Sequence, residues 1–234
     1  MILTKRFLIL TVMVFLAVFT AAAQSNTNRE RTIEESYLQE TIENMIIRET
    51  ARTESREQKL IALEYINEAI NRGNTSDEIR ETLEFLSNEG TRSVARENGR
   101  VVNNFPDIRR QSAKYLGQIG TKEAKDALIV ICQFENEPMV LQEAIKSLGD
   151  IGLNDNNETI NNITWVVGRF NTLNPDNLLA ISTIDAFEKI AKKNNGINST
   201  EAVQLLLRIS EGPYLKPVQE RARQLLADLR NIGK

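Results

Sequence analysis

Apolar residues recur at spacings of three and four along most of the chain, which is the period of an amphipathic helix. The clearest stretch is 106–120, whose pattern returns in 138–152 after 32 residues. Both copies begin with proline, carry a Leu-Gly pair and end in Ile-Gly. Proline is accepted in the first turn of a helix, and a glycine just past a helix end readily takes the left-handed cap conformation. Each copy therefore predicts one helix that begins at its proline and ends before its last glycine.

The apolar stripe of each copy predicts which side chains face a core. These residues are Ile108, Ala113, Leu116 and Ile119 in the first copy, and Val140, Ala144, Ile145, Leu148 and Ile151 in the second. Each helix also contains an internal glycine, Gly117 or Gly149. A glycine inside a helix costs about 1 kcal/mol relative to alanine. We therefore expect another helix to approach closely at both glycines.

The same period predicts helices elsewhere in the chain. They cover about 32–50, 55–71, 75–90, 122–134, 158–170, 175–192, 200–210 and 217–231. Residues 88–104 break the pattern and predict an insertion, a loop with room for one short helical turn. Since no stretch alternates apolar and polar residues over a sustained run, the sequence predicts no sheet. One helix pair of this length cannot bury its apolar face alone, so successive pairs must stack, with 32–50 and 217–231 as caps.

The segment 107–120, Asp-Ile-Arg-Arg-Gln-Ser-Ala-Lys-Tyr-Leu-Gly-Gln-Ile-Gly, resembles the HEAT-repeat family, particularly its short bacterial form, the HEAT-like or phycobilisome-lyase repeats. The resemblance is specific over about 105–172, weaker over 175–232 and weakest over 55–88. It implies an all-α fold, a right-handed α-solenoid of antiparallel helix pairs that is usually used for protein–protein recognition. It offers no catalytic residues to carry over. Some relatives assist bilin attachment, so an enzyme accessory or lyase-like role is one alternative.

Composition removes several classes of function. The net charge of the 234-residue chain is -3, which is not the basic balance of a nucleic-acid-binding protein. The chain has no histidine, which is the commonest general base and zinc ligand. Its single cysteine, Cys132, allows no intrachain disulfide and no thiolate metal cluster. We therefore predict a non-enzymatic protein without catalytic residues, cofactor or metal.

The first residues have the layout of an export signal. A basic pair precedes an apolar run over 7–19, and three alanines follow at 21–23. This layout predicts a signal peptide over 1–23, cleaved after Ala23, and a bacterial protein in the periplasm or beyond. The alternative is an uncleaved anchor, since the 17 residues that end at the alanines reach the lower length limit of a membrane span. Residues 24–31 contain no apolar side chain and predict a flexible leader before a solenoid over 32–234.

One candidate partner-binding surface follows from the helical wheel of 158–170. At about 100° per residue, Trp165 falls about 200° from Ile163, on the side away from the apolar stripe. Phe134 and Phe170 end the segments 122–134 and 158–170 and are aligned with each other, and Ile209 is aligned with Phe170. This alignment gives the positions in the neighbouring helices that are equivalent to Trp165. The resulting strip consists of Ile129, Trp165, Gln204 and Leu207. Exposed aromatic residues are frequent interface anchors; the alternative is that Trp165 packs against an adjacent repeat or under the loop at 153–158.

A second candidate surface is basic and surrounds the insertion. It consists of Arg92, Arg96, Arg100, Arg109 and Arg110. These arginines could dock an acidic partner surface. The alternative is that they form ion pairs between repeats, because Glu89, Glu97 and Asp107 lie among them in the sequence.

The sequence thus predicts an exported adaptor or scaffold that binds a protein partner in the bacterial envelope. A structural subunit of a periplasmic assembly is the alternative, in which copies of the chain or other subunits would be the partners. Neither the partner nor the oligomeric state can be read from the sequence.

Overall fold

The computed structural model describes residues 32–171 and 175–232. Within these ranges the chain forms ten α-helices, and a short 3-10 turn at Asp155–Asn157 precedes the seventh. The helices are α1 Ile33–Ala51, α2 Arg56–Asn71, α3 Asp77–Asn88, α4 Pro106–Ile119, α5 Lys122–Phe134, α6 Pro138–Ile151, α7 Glu158–Asn171, α8 Asn177–Lys193, α9 Thr200–Glu211 and α10 Lys216–Ile232. The predicted signal peptide and leader lie outside the described residues. In the described ranges, no helix combines the length and the apolar character needed to cross a bilayer.

The helix pairs lie in the second of two units into which the chain divides after Glu43. Within this unit, α2, α4, α6, α8 and α10 pack one against the next and form a first layer. The intervening helices α3, α5, α7 and α9 do the same and form a second layer. Each second-layer helix also packs against the first-layer helix that follows it, and α4 packs against α5 as well. This arrangement is an α-solenoid, as the sequence predicts.

Helices α4 and α6 begin and end where their prolines and glycines predict. Pro106 and Pro138 stand in the first turn of their helices. Gly120 and Gly152 end the helices with φ angles of 73° and 68°, and the amide N–H of each donates to the carbonyl four residues earlier. The predicted core faces of both helices are also confirmed. All nine residues are buried except Ile119, which is half-buried against the same core.

The two internal glycines lie where first-layer helices touch. A Cβ atom on Gly117 would come within 2.6 Å of the Cβ of Ser147 in α6. A Cβ atom on Gly149 would come within 2.6 Å of the Cα of Ala186 in α8. Real Cβ atoms do not approach other heavy atoms so closely, so the helix spacing here depends on glycine. The predicted close approach is confirmed at both positions.

The insertion between α3 and α4 forms a β-hairpin, so the predictions of no sheet and of a helical turn are wrong. Strand β1, Arg96–Glu97, pairs antiparallel with β2, Arg100–Val101. Asn98 and Gly99 form the turn, and both have positive φ angles, 48° and 79°. This backbone is typical of the type I′ turn that joins twisted strands, for which Asn-Gly is a favoured pair. With only two residues in each strand, the alternation is too short to register as a strand pattern.

Candidate functional site

An open groove of about 570 Å³ lies between α7 and α9 in the second layer. We call it the Trp165 groove. Its lining residues come from both helices and are Asn161, Thr164, Trp165, Gly168, Arg169, Glu201, Gln204 and Arg208. Most of them are polar or charged, and one is a large aromatic residue.

Hydrogen bonds at their first turns hold α7 and α9 in register. The hydroxyl of Ser199 donates to Oδ1 of Asn161 at 2.9 Å and also caps α9 by accepting from the amide of Ala202 at 3.3 Å. The side-chain amide of Asn157 donates to the carbonyl of Asn198 at 2.7 Å. Since both helices begin at the same level, successive turns of α7 face the corresponding turns of α9.

Trp165 is the centre of the groove and is 55% exposed. The Cζ atom of Arg169 lies 5.2 Å from the centroids of the Trp165 and Phe170 rings. Nη2 of Arg169 donates to the carbonyl of Glu135 at 3.0 Å, which anchors the guanidinium to the end of α5. A cation over an aromatic face is favourable. The indole ring is therefore supported on one side while more than half of its surface stays open to solvent.

The charges of the groove are arranged by turn. Arg169 and Arg208 occupy the end nearest the helix C-termini, whereas Glu201 lies at the opposite end, with its Oε2 atom 3.3 Å from Oγ of Ser199. In the part of the chain that the structure describes, neither arginine of the groove has an ion pair with a carboxylate. One end of the groove is therefore cationic and uncompensated.

The family model of HEAT repeats matches residues 100–163. Residues 100–163 contain HEAT repeats. The match runs from β2 through α4, α5 and α6 into α7, where it includes Asn161 at one end of the groove. HEAT repeats act as protein-interaction scaffolds and are generally not enzymes. A comparison with curated proteins found no match to the chain.

Three of the four residues predicted to form the strip along the second-layer helices lie on the surface. Trp165 and Gln204 line the same groove, and Leu207 is exposed on α9. The alternative is that Trp165 packs against an adjacent repeat, but a side chain that is 55% exposed is not packed in this way. Ile129, in contrast, is only 7% exposed and belongs to the core. Its place in the strip is therefore wrong, and partner binding by the other three stays a prediction.

The error at Ile129 comes from an alignment that is shifted by one residue. Equivalent buried residues of α5 and α7 are 35 positions apart, and the pairs are Ala124/Thr159, Leu128/Ile163, Ile131/Val166 and Cys132/Val167. With this spacing the residue of α5 equivalent to Trp165 is Val130, which is half-buried. The phenylalanines used for the alignment differ in environment, since Phe134 is 51% exposed and Phe170 packs against the core. Two aromatic residues at helix ends were a poor guide to register.

Arg109 is the second correction, because its side chain is 1% exposed and inaccessible to a partner. Its Nε donates to Oε2 of Glu135 at 2.7 Å, and its Nη2 donates to Oε1 of the same carboxylate at 3.2 Å. Its Nη1 donates to Oδ1 of Asn104 at 2.8 Å and to the carbonyl of Glu89 at 3.1 Å. Arg109 thus joins both ends of the insertion to the end of α5, which agrees with the alternative of an ion pair between elements.

The other four predicted arginines are exposed, and three of them lie on or near the hairpin. The Cζ atom of Arg92 stacks 5.1 Å from the centroid of the Phe134 ring, and Nη1 of Arg96 donates to the Gly99 carbonyl at 3.2 Å. Arg100 stands on β2. Arg110 lies on α4 and forms an ion pair of 3.6 Å with Glu143. The structure gathers three of the arginines at the hairpin and places Arg110 in a separate contact.

Sequence reasoning missed Arg169 and Arg208, which supply the cationic end of the Trp165 groove. A signal was present, because Arg169 follows Trp165 by four residues and Arg208 follows Gln204 by four. Residues at this spacing lie on one face of a helix. The wheel used to place Trp165 would have placed both arginines beside the strip.

The thiol of Cys132, the single cysteine of the chain, is shielded inside α5. Cys132 is buried, and burial, with a smaller contribution from the nearby Glu135 carboxylate, raises the pKa of its thiol to about 12. The thiol therefore stays protonated and inaccessible at neutral pH. Among the residues that the structure describes, no cluster of three or more acidic or cysteine side chains is placed to hold a metal ion.

Proposed function

We propose that the chain is a non-enzymatic adaptor or scaffold that binds a protein partner in the Trp165 groove. The observation that carries the proposal is Trp165 itself, a large aromatic side chain that is 55% exposed between α7 and α9. Aromatic residues of this kind dominate the binding energy of many interfaces. Support by Arg169 reduces the entropy lost when the ring is fixed by a partner.

We further propose that the protein works in the bacterial envelope after export. The support is the basic, apolar and alanine-rich layout of residues 1–23. Mass spectrometry of the protein recovered from cells tests this placement. A mature N-terminus at Gln24 is expected, and a chain that retains Met1 in the cytoplasmic fraction would contradict export.

The binding proposal is tested with Trp165→Ala. Crosslinking and capture from native envelopes identify the partner with the wild-type chain, and the identified partner is then titrated against purified wild-type and variant protein. Loss of an aromatic anchor costs about 2 kcal/mol or more, which corresponds to roughly 30-fold weaker binding. Far-ultraviolet circular dichroism should show an unchanged helix content, since the removed ring is largely exposed.

The matched control is Tyr65→Ala, which removes a 41% exposed aromatic residue from α2 in the first layer. Binding by this variant should equal that of the wild-type chain. Equal affinity of the Trp165→Ala variant and the wild type would refute the groove as the binding site.

A further inference from the structure

The geometry of the Trp165 groove specifies what kind of partner segment fits it, provided that the proposed function holds. The groove runs along α7 from Asn161 to Arg169, a rise of eight residue steps along the helix. At 1.5 Å per residue this is about 12 Å. An extended peptide advances about 3.3 Å per residue, so the groove accommodates about four residues of an extended segment.

The spacing between the aromatic platform and the cationic end matches a short peptide repeat. Trp165 and Arg169 are one helical turn apart, about 6 Å. In an extended peptide, side chains two residues apart point to the same face at a separation of about 6.5 Å. A peptide side chain stacked on Trp165 therefore places the side chain two residues away at the arginine end.

Arg208 is the group at that end with the most unused hydrogen-bonding capacity. Nη1 and Nη2 of Arg169 already donate to the carbonyls of Gln133 and Glu135. Within residues 32–171 and 175–232, Arg208 forms no ion pair. A guanidinium carries five N–H donors in a planar fork that matches a carboxylate. Charge complementarity at this end therefore favours an acidic side chain.

We propose that the Trp165 groove binds an extended segment of a partner protein that carries an aromatic or large aliphatic residue and, two positions away, an aspartate or glutamate. The apolar side chain packs on the open face of Trp165. The carboxylate accepts hydrogen bonds from the guanidinium of Arg208, with Arg169 adding charge from the other wall. Glu201 disfavours a second acidic residue at the far end of the groove.

The chain contains its own reporter for this interaction, because Trp165 is its only tryptophan. The probes are three capped five-residue peptides without tryptophan or tyrosine. Each has phenylalanine at its second position, and its fourth position is glutamate, glutamine or lysine. Each is titrated into the full chain at low ionic strength while the emission of Trp165 is recorded.

We expect the glutamate peptide to bind about 2- to 5-fold more tightly than the glutamine peptide, as for one solvent-accessible ion pair. The lysine peptide should bind most weakly. Arg208→Gln should abolish the difference between glutamate and glutamine, and Arg208→Glu should reverse the order so that the lysine peptide binds best. The control Arg230→Glu makes the same charge change at an exposed residue of α10 and should preserve the wild-type order.

The outcomes distinguish a failure of this inference from a failure of the proposed function. Equal affinity for the three peptides, or no response to the glutamate peptide up to about 10 mM, overturns the acidic preference. The proposed function would survive that result if the Trp165→Ala variant still loses its native partner. If the variant keeps its partner, the groove is not the binding site and both proposals fail.

Discussion

Replacing Gly149 by alanine adds one methyl group at the contact between α6 and α8. Helix propensity alone predicts that this change stabilises the protein, since glycine costs about 1 kcal/mol relative to alanine inside a helix. The structure predicts the opposite sign. The new Cβ would lie 2.6 Å from the Cα and 2.9 Å from the Cβ of Ala186.

The magnitude follows from what the methyl group meets. Overpacking a well-packed contact usually costs about 1–3 kcal/mol. The upper part of that range applies because the nearest atom belongs to the backbone of α8 and cannot rotate away. After subtracting the gain in propensity, the expected net loss is about 2 kcal/mol. For a domain of this size, such a loss lowers the melting temperature by about 4–8 °C.

Gly168→Ala is the matched control. Gly168 also lies inside a helix, but a Cβ added there meets no atom within 4 Å. This variant should therefore gain up to about 1 kcal/mol. Urea and thermal unfolding of the two variants and the wild type, followed by circular dichroism at 222 nm, measure the difference of about 3 kcal/mol directly.

A Gly149→Ala variant that is as stable as the wild-type chain, or more stable, would refute a steric clash at this contact. A second measurement asks whether the clash involves Ala186. Adding Ala186→Gly removes the contact with the Cβ of residue 186 but leaves the shorter contact with its Cα. The double variant should therefore recover only part of the lost stability; full recovery would show that the backbone contact is unimportant.

Three further predictions concern buried or paired groups. A thiol reagent at pH 8 should modify Cys132 only after denaturation, because its pKa is about 12 and it is buried; modification of the native chain at the unfolded rate would contradict this. Arg109→Ala should lower the free energy of unfolding in urea by about 3–5 kcal/mol, since it leaves a buried carboxylate unpaired, and a loss below about 1 kcal/mol would show that the pair is unimportant. Hydrogen bonds from Lys192 and Arg221 lower the pKa of Glu188 from its ordinary value of 4.5. The contribution of Glu188 to stability is therefore present above pH 4.5 and is lost as the pH falls through the lower pKa of the folded state. Urea unfolding should show that Glu188→Gln loses less stability between pH 6 and 3 than the wild type does. Identical losses would exclude this role.

The two best-predicted helices, α4 and α6, owe their clarity to local chemistry. Proline and glycine mark their ends, and the glycine inside each marks a crossing point that the structure confirms. These features depend on the backbone of the residue itself, so a single sequence is enough to reveal them. The Asn98-Gly99 turn of the hairpin is an equally local signal, but strands of two residues leave no alternating pattern beside it to mark a hairpin.

The candidate site was harder to predict because it depends on contacts between distant residues. The helical wheel correctly puts Trp165 away from the buried stripe, but Ile129 required the register between two helices, which the wheel does not contain. Arg109 had the appearance of a surface residue in the first turn of α4. Its partner, Glu135, stands 26 residues later, and only the fold shows that the two meet in the core.

The base of the insertion is closed independently of its tip. Gly90 packs against the backbone of Asn103 and Asn104, and the Arg109 guanidinium ties both sides of this base to the end of α5. Strands β1 and β2 lie beyond this closure and share no core with the helices. The hairpin is thus a grafting position, where a loop of another length or sequence can be exchanged while the packing of the helical layers is preserved.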